Sequence, residues 1–170
     1  MSELTGDWDK VSQIFNAARI KNALYGVAAK VGNYGASEVK KGIRSGAPGG
    51  QTFQALSEFT IQRKGSSKPL IDKGDLIGSI TFEVVDDDSV AIGVKKGNAG
   101  NIAAVHEYGC TIEVTPKMRA FLHYNGIHLK EATTYINIPP RPFLRPVLAS
   151  KKFQKKVAEM YLNALRGAFS

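Results

Sequence analysis

Cysteine is almost absent from this 170-residue chain. Cys110 stands alone, which excludes an internal disulfide and fits a reducing compartment. No apolar run approaches the ~20 residues that cross a bilayer, so no membrane partner is expected. The opening "MSELTGDWDK" is polar and acidic and does not read as a signal peptide. Histidine is scarce, with three copies, and none stands at metal-ligand spacing. Proline is scarce too, except that four of the seven fall in "IPPRPFLRPVL", residues 138–148. Apolar residues still make up 43%, enough for a packed core.

Acids are the minority charge, and the net charge is +8. The excess is uneven. Residues 1–70 hold ten Lys/Arg and five acids, residues 71–138 six and nine, and residues 139–170 seven and one. A slightly acidic middle therefore lies between basic ends. Those ends read either as solvated helix faces or as surfaces that meet something acidic, a neighbouring subunit or DNA.

Residues 7–44 read as helix, with Asp7 as a cap and Trp8, Val11, Phe15 and Ala18 at helical spacing. A phase shift near Ile20, with Gly26, Gly32 and Gly35, reads as a bend. Residues 45–75, rich in Gly, Ser and Pro, read as a long ordered loop that a partner subunit can hold. Asp75 caps a short turn. "SITFEVV" and "VAIGVKK" flank "DDDS" as a hairpin. Asn101 caps the helix "IAAVHEYG", "CTIEVTP" is a third strand, and "ATTYINIPP" a fourth. Residues 117–130 are a helical turn or loop. The last helix sets Val147, Phe153, Val157, Met160, Tyr161, Ala164 and Leu165 against Lys151, Lys152, Lys155 and Lys156.

The expected fold is a single α+β domain over residues 1–170. A small, mainly antiparallel sheet of about four strands packs with a long N-terminal helix and a C-terminal helix. Its parts are an N-terminal helical arm (1–45), the extended loop (46–75), an α+β core (76–148) and the last helix (149–170).

Catalytic motifs fail on inspection. "HEYGC" begins like the zinc-protease H-E-x-x-H, but its fifth residue is Cys110, and Gly109 ends the helix first. His106 and Glu107 then read as a packed or interface pair. His123 and His128 read as ordinary loop histidines. The aspartates Asp72, Asp75 and Asp86 to Asp88 lack calcium-loop spacing. No Walker loop, dinucleotide fingerprint or nucleophile elbow is present. The chain reads as a non-enzyme without cofactor or metal.

Two sets of candidate contact residues remain. Arg63, Lys64 and Lys68 make the 45–75 segment basic. In the proline stretch, Phe143 and Leu144 anchor an elbow on the core, and Pro146 starts a helix. Arg141 and Arg145 either stay exposed or meet a carboxylate on a neighbouring subunit. Lys151, Lys152, Lys155 and Lys156 are the candidate DNA-facing residues.

Three segments in order carry a resemblance: "LSEFTIQRKGSSKPLIDKGDLIGSITFEV", "AAVHEYGCTIEV" and "IPPRPFLRPVL". The chain resembles the tail completion proteins of tailed phages, the phage virion morphogenesis family. The family's motif falls on Leu70, Asp72, Gly74, Leu76, Ser79 and Ile80. It continues at His106, Glu107, Gly109, Pro139, Pro140, Arg141, Pro142, Phe143 and Arg145. Lys73 and Cys110 depart from its usual residues. The resemblance implies a minor structural protein of the virion, at the neck or the head-proximal end of the tail. It further implies rings, commonly sixfold, of the chain's own copies. Their partners would be a tail terminator or tail tube and head connector proteins, met in the host cytoplasm during assembly. A tail terminator and a sequence-nonspecific DNA-binding accessory protein are the alternatives.

Overall fold

The spine of the molecule is one helix, α1 (Ala17–Ser45), on which the first β-hairpin and the C-terminal helices pack. The structure, a computed structural model, describes residues 6–7, 17–86 and 89–169. Asp7 is described, exposed and outside any helix, and the helical expectations for Trp8, Val11 and Phe15 fall outside the described residues.

The glycines that read as a bend sit in an unbroken helix. Their role is close approach. A Cβ on Gly32 would collide with the Phe82 ring, and one on Gly35 with Ile92. Glycine costs about 1 kcal/mol against alanine inside a helix. Here that cost is offset because a β-hairpin can lie directly on the helix backbone. Val27, Ala28, Val31, Ala36, Val39 and Ile43 supply the buried stripe around this groove.

After α1 the chain makes a 3-10 turn (Pro48–Gly50), then α2 (Glu58–Lys64) and α3 (Asp75–Ser79). The 45–75 region is thus not a bare loop. Ser57 caps α2 by accepting from Thr60 N at 3.3 Å, and Gly65 closes it in a left-handed conformation. Its own chain orders this segment: Pro48 and Phe53 are buried in the core. Asp75 opens α3 as its first residue, while Gly74 occupies the cap.

Strands β1 (Ile80–Val84) and β2 (Val90–Val94) pair antiparallel, with Phe82 opposite Ile92, and cover α1. Helix α4 (Asn98–Tyr108) follows, starting three residues before the Asn101 expected to cap it. Then come β3 (Cys110–Glu113), α5 (Pro116–Tyr124) and β4 (Tyr135–Ile138). A one-turn helix, α6 (Arg145–Leu148), leads into α7 (Lys151–Phe169).

The architecture is α+β, with the four expected strands in two separate two-stranded sheets, β1–β2 and β3–β4. Helix α4 packs on α3 and β2 and carries the chain away before β3 begins. The core joins Ala36, Val39 and Ile43 of α1 to Phe53, Leu76, Ile80, Ala103, Phe143 and Val147. Helix α7 returns antiparallel along α1, with Phe153 stacked on Tyr34 at 5.6 Å.

Two substitutions on α1 separate close approach from flexibility. Gly35→Ala must displace Ile92 and is expected to cost about 1–3 kcal/mol. Gly26→Ala, whose Cβ meets nothing, is expected to gain about 0.5–1 kcal/mol. Thermal melts of the two variants should move in opposite directions.

Candidate functional site: a buried glutamate under the proline elbow

Proline dictates which amides the elbow can offer. Pro139, Pro140 and Pro142 have no N–H, so residues 139–145 expose only the amides of Arg141, Phe143, Leu144 and Arg145. All four are taken by two residues at the end of α4. Arg141 N donates to the His106 carbonyl at 2.6 Å. Glu107 Oε2 accepts from Phe143 N at 2.8 Å and Leu144 N at 3.0 Å, and Oε1 from Arg145 N at 3.0 Å.

Glu107 is only 3% exposed. A carboxylate so deep must be compensated, and the three amides and Arg145 compensate it. Arg145 Nε donates to Glu107 Oε1 at 3.0 Å, and its Nη2 to the Glu107 carbonyl at 2.7 Å. The same guanidinium lies over the Tyr108 ring, 4.7 Å from its centroid. Burial alone would push the Glu107 carboxyl up. The amides of Leu144, Phe143 and Arg145, with the Arg145 side chain, outweigh it and hold the carboxyl below its ordinary value of 4.5. Glu107 thus caps α6 from a different helix.

Neighbouring residues reinforce the lock. Gly109 adopts φ 78°, and a Cβ there would press within 3.1 Å of the Ile138 carbonyl and Pro140 Cδ. Phe143 is fully buried against α1. Gly49 lets the 48–50 turn pack against the Pro146 carbonyl, where any Cβ would clash. Pro146 does begin a helix, but only α6. Ser150 caps α7 afresh, accepting from Phe153 N at 3.2 Å.

The arginines read as seeking a neighbour's carboxylate find partners inside their own chain. Arg145 takes Glu107. Arg141, 8% exposed, donates to the Gln54 carbonyl at 2.9 Å and the Ala55 carbonyl at 3.0 Å, tying the 45–75 segment to the elbow. Glu107, Arg141 and Phe143 are therefore internal to the subunit and, as candidates for an interface, are buried within their own chain. Long separation in sequence hides such pairs: Arg141 and Gln54 lie 87 residues apart.

His106 points to a cleft of about 300 Å³ that Leu56, Thr60, Lys64, Leu70 and Asp72 also line. Its Nδ1 is buried without a partner. Burial first, then Arg141 and Lys64, hold its pKa below 6.5, so it is neutral at neutral pH. Lys64 Nζ donates to the Lys68 carbonyl, and Lys68 is exposed. Arg63 sits 5.9 Å from the Phe121 ring centroid, bracing α5. Lys151, Lys152, Lys155 and Lys156 are exposed on α7, away from the elbow's hydrogen bonds.

The Glu107 carboxylate and the Arg141 and Arg145 guanidiniums serve the backbone or each other. Among the described residues no cluster of three or more His, Cys, Asp or Glu can hold a metal ion. The chain belongs to the phage virion morphogenesis family, whose sequence model matches residues 7–169. No curated protein and no solved structure matches it. Membership points to a structural or assembly role in the phage virion. No helix among the described residues is long and apolar enough to cross a membrane.

The lock predicts a two-stage acid response. The folded pKa of His106 is lowered, so protonation begins to destabilise the protein as pH falls below 6.5. The folded pKa of Glu107 is also lowered. Its contribution is fully present above 4.5 and is lost as pH falls through its folded value. Glu107→Ala should remove the lower stage and cost about 3–5 kcal/mol at neutral pH. Urea melts across pH 3 to 8, about the range covered by these two groups, would check both.

Proposed function

We propose that the protein acts in tail completion and head–tail joining, as a ring subunit at the neck or head-proximal end of the tail. The observation that carries this reading is the projection β3–α5–β4. No residue from 108 to 140 is buried within the subunit. A two-stranded sheet is marginal in water alone, and so is a nine-residue helix. Arg119 holds the projection together by donating to the carbonyls of Leu129, Lys130, Glu131 and Thr133.

Meanwhile its aromatic side chains face outward. Phe121, Tyr124 and Tyr135 are exposed, Tyr124 by 90%. Exposed aromatics on a rigid support are the residues interfaces favour. Such a projection fits a subunit that reaches its neighbours: further copies in a sixfold ring, the tail terminator or tube, and the head connector. Its place of action is then the virion, reached through the host cytoplasm.

Knockout phages test the reading. Tails of normal length that fail to join heads are expected; overlong tails would instead mark a tail terminator. Replacing Tyr124 by serine should leave thermal stability within about 0.5 kcal/mol but abolish incorporation into virions. Incorporation at wild-type levels would contradict the role given to the projection.

A further inference from the structure

The subunit carries both an unfilled apolar cleft and an aromatic ring with nothing to pack on. The cleft, of about 300 Å³, lies between α2, residues 70–76 and α4. Leu56, Leu70, Ile71 and Ile102 give it apolar walls. Leu70 takes its place with φ 60°, a left-handed backbone unfavourable for leucine, and such strain gathers at binding clefts. The charged lining residues cancel, Lys64 and Lys73 against Asp72 and Asp75, so a neutral occupant suits it. His106 lines the cleft with Nδ1 closed off and unpartnered, which leaves Nε2 to meet an entering group. Burial, then Arg141 and Lys64, keep this ring neutral, so it suits a hydrogen bond rather than an ion pair. The volume is at the lower end of small-molecule sites, about 300–1,000 Å³, and gives room for one large side chain.

Tyr124 is the ring without a place. It ends α5 and is 90% exposed. Other exposed rings are engaged: Arg63 lies over Phe121 and Arg145 over Tyr108. The turn that carries Tyr124 is held firmly. Asn125 Nδ2 donates to the Phe121 carbonyl at 2.7 Å, Gly126 N to the His123 carbonyl at 2.9 Å, and Ile127 N to the Leu122 carbonyl at 2.9 Å. His123 and His128 meet edge to face across the same turn, with centroids 4.5 Å apart. A ring on such a support loses little freedom when it docks. Tyr124 does not fill the cleft of its own subunit, because a seated ring would be covered.

We propose that the Tyr124 ring of one copy seats in the His106 cleft of a second copy of this chain. The ring covers the apolar walls. Its hydroxyl both donates and accepts, so it pairs with Nε2 in either tautomer of a neutral imidazole. Tyrosines that fill such pockets are among the residues that carry most of an interface's binding energy. A knob and a hole at different places on one subunit make a contact that each copy repeats with the next, as a ring requires. The inference rests on the ring reading above and names its contact.

Complementation in the full chain tests it, with light scattering as the readout. Tyr124→Ser removes the knob and leaves the cleft. Ile102→Glu puts a carboxylate in the wall of the cleft and leaves the knob. Both side chains are exposed, Ile102 by 43%, so both variants keep their fold. Each alone should weaken self-association about thirtyfold or more. An equal mixture should form pairs that grow no further, because only the Ile102→Glu copy brings a tyrosine and only the Tyr124→Ser copy an open cleft. A variant that associates like the wild type, or a mixture no larger than its parts, overturns the contact while leaving the ring. If Ile102→Glu alone loses association, another occupant fills the cleft and the proposal fails. A wild-type chain that stays monomeric at all concentrations overturns both.

Discussion

The structure depends on one carboxylate accepting three consecutive backbone amides. Glu107 reaches from the last turn of α4 and closes the first turn of α6, thirty-odd residues along the chain. Without it the amides of Phe143, Leu144 and Arg145 would be stranded at or near a core that excludes water, each costing about 1–3 kcal/mol. Prolines cannot supply an alternative ladder, because they remove donors on both sides of the turn. The elbow therefore has one way to be satisfied. That single solution sets the position of Phe143 in the core and the direction in which α7 leaves.

From the lock, the rest follows by contact. Phe143 meets α1, whose glycine-lined groove also takes the β1–β2 hairpin. Arg141 extends the lock sideways to the 45–75 segment through two carbonyls. Gly109 turns the chain from α4 into β3 with no room for a side chain. The projection β3–α5–β4 thus leaves the body at one end of the lock and returns at the other. A subunit built this way holds a rigid arm out from its core without needing the arm to share that core.

Some of this was legible in the sequence. Strict alternation on both sides of "DDDS" marked the hairpin, and the apolar face of α7 stood out because its lysines lie opposite. Phe143 and Leu144 read correctly as anchors. Two kinds of information were hidden. The glycines of α1 looked like a bend, because a sequence does not say whether a missing Cβ frees the backbone or admits a neighbour. Glu107 read as a packed or interface residue and Arg145 as exposed or paired with a neighbour, and their pairing with each other stayed hidden, because polar satisfaction across 38 residues leaves no periodic signature. Helix α2 carried a local signal, Ser57 before Glu58 and Gly65 after Lys64, that the surrounding Gly and Ser obscured. The split into two sheets was beyond pattern reading, since strand pairing depends on where α4 packs.

The account turns on the Glu107 cap, and amide hydrogen exchange measures it directly. If the carboxylate holds these groups, the amides of Phe143, Leu144 and Arg145 exchange as slowly as those of α1. They would open only when the whole protein unfolds. In Glu107→Ala they would exchange faster than the α1 amides. Amides at 143–145 that exchange in the intact protein as fast as exposed loop amides would contradict the central role given to Glu107.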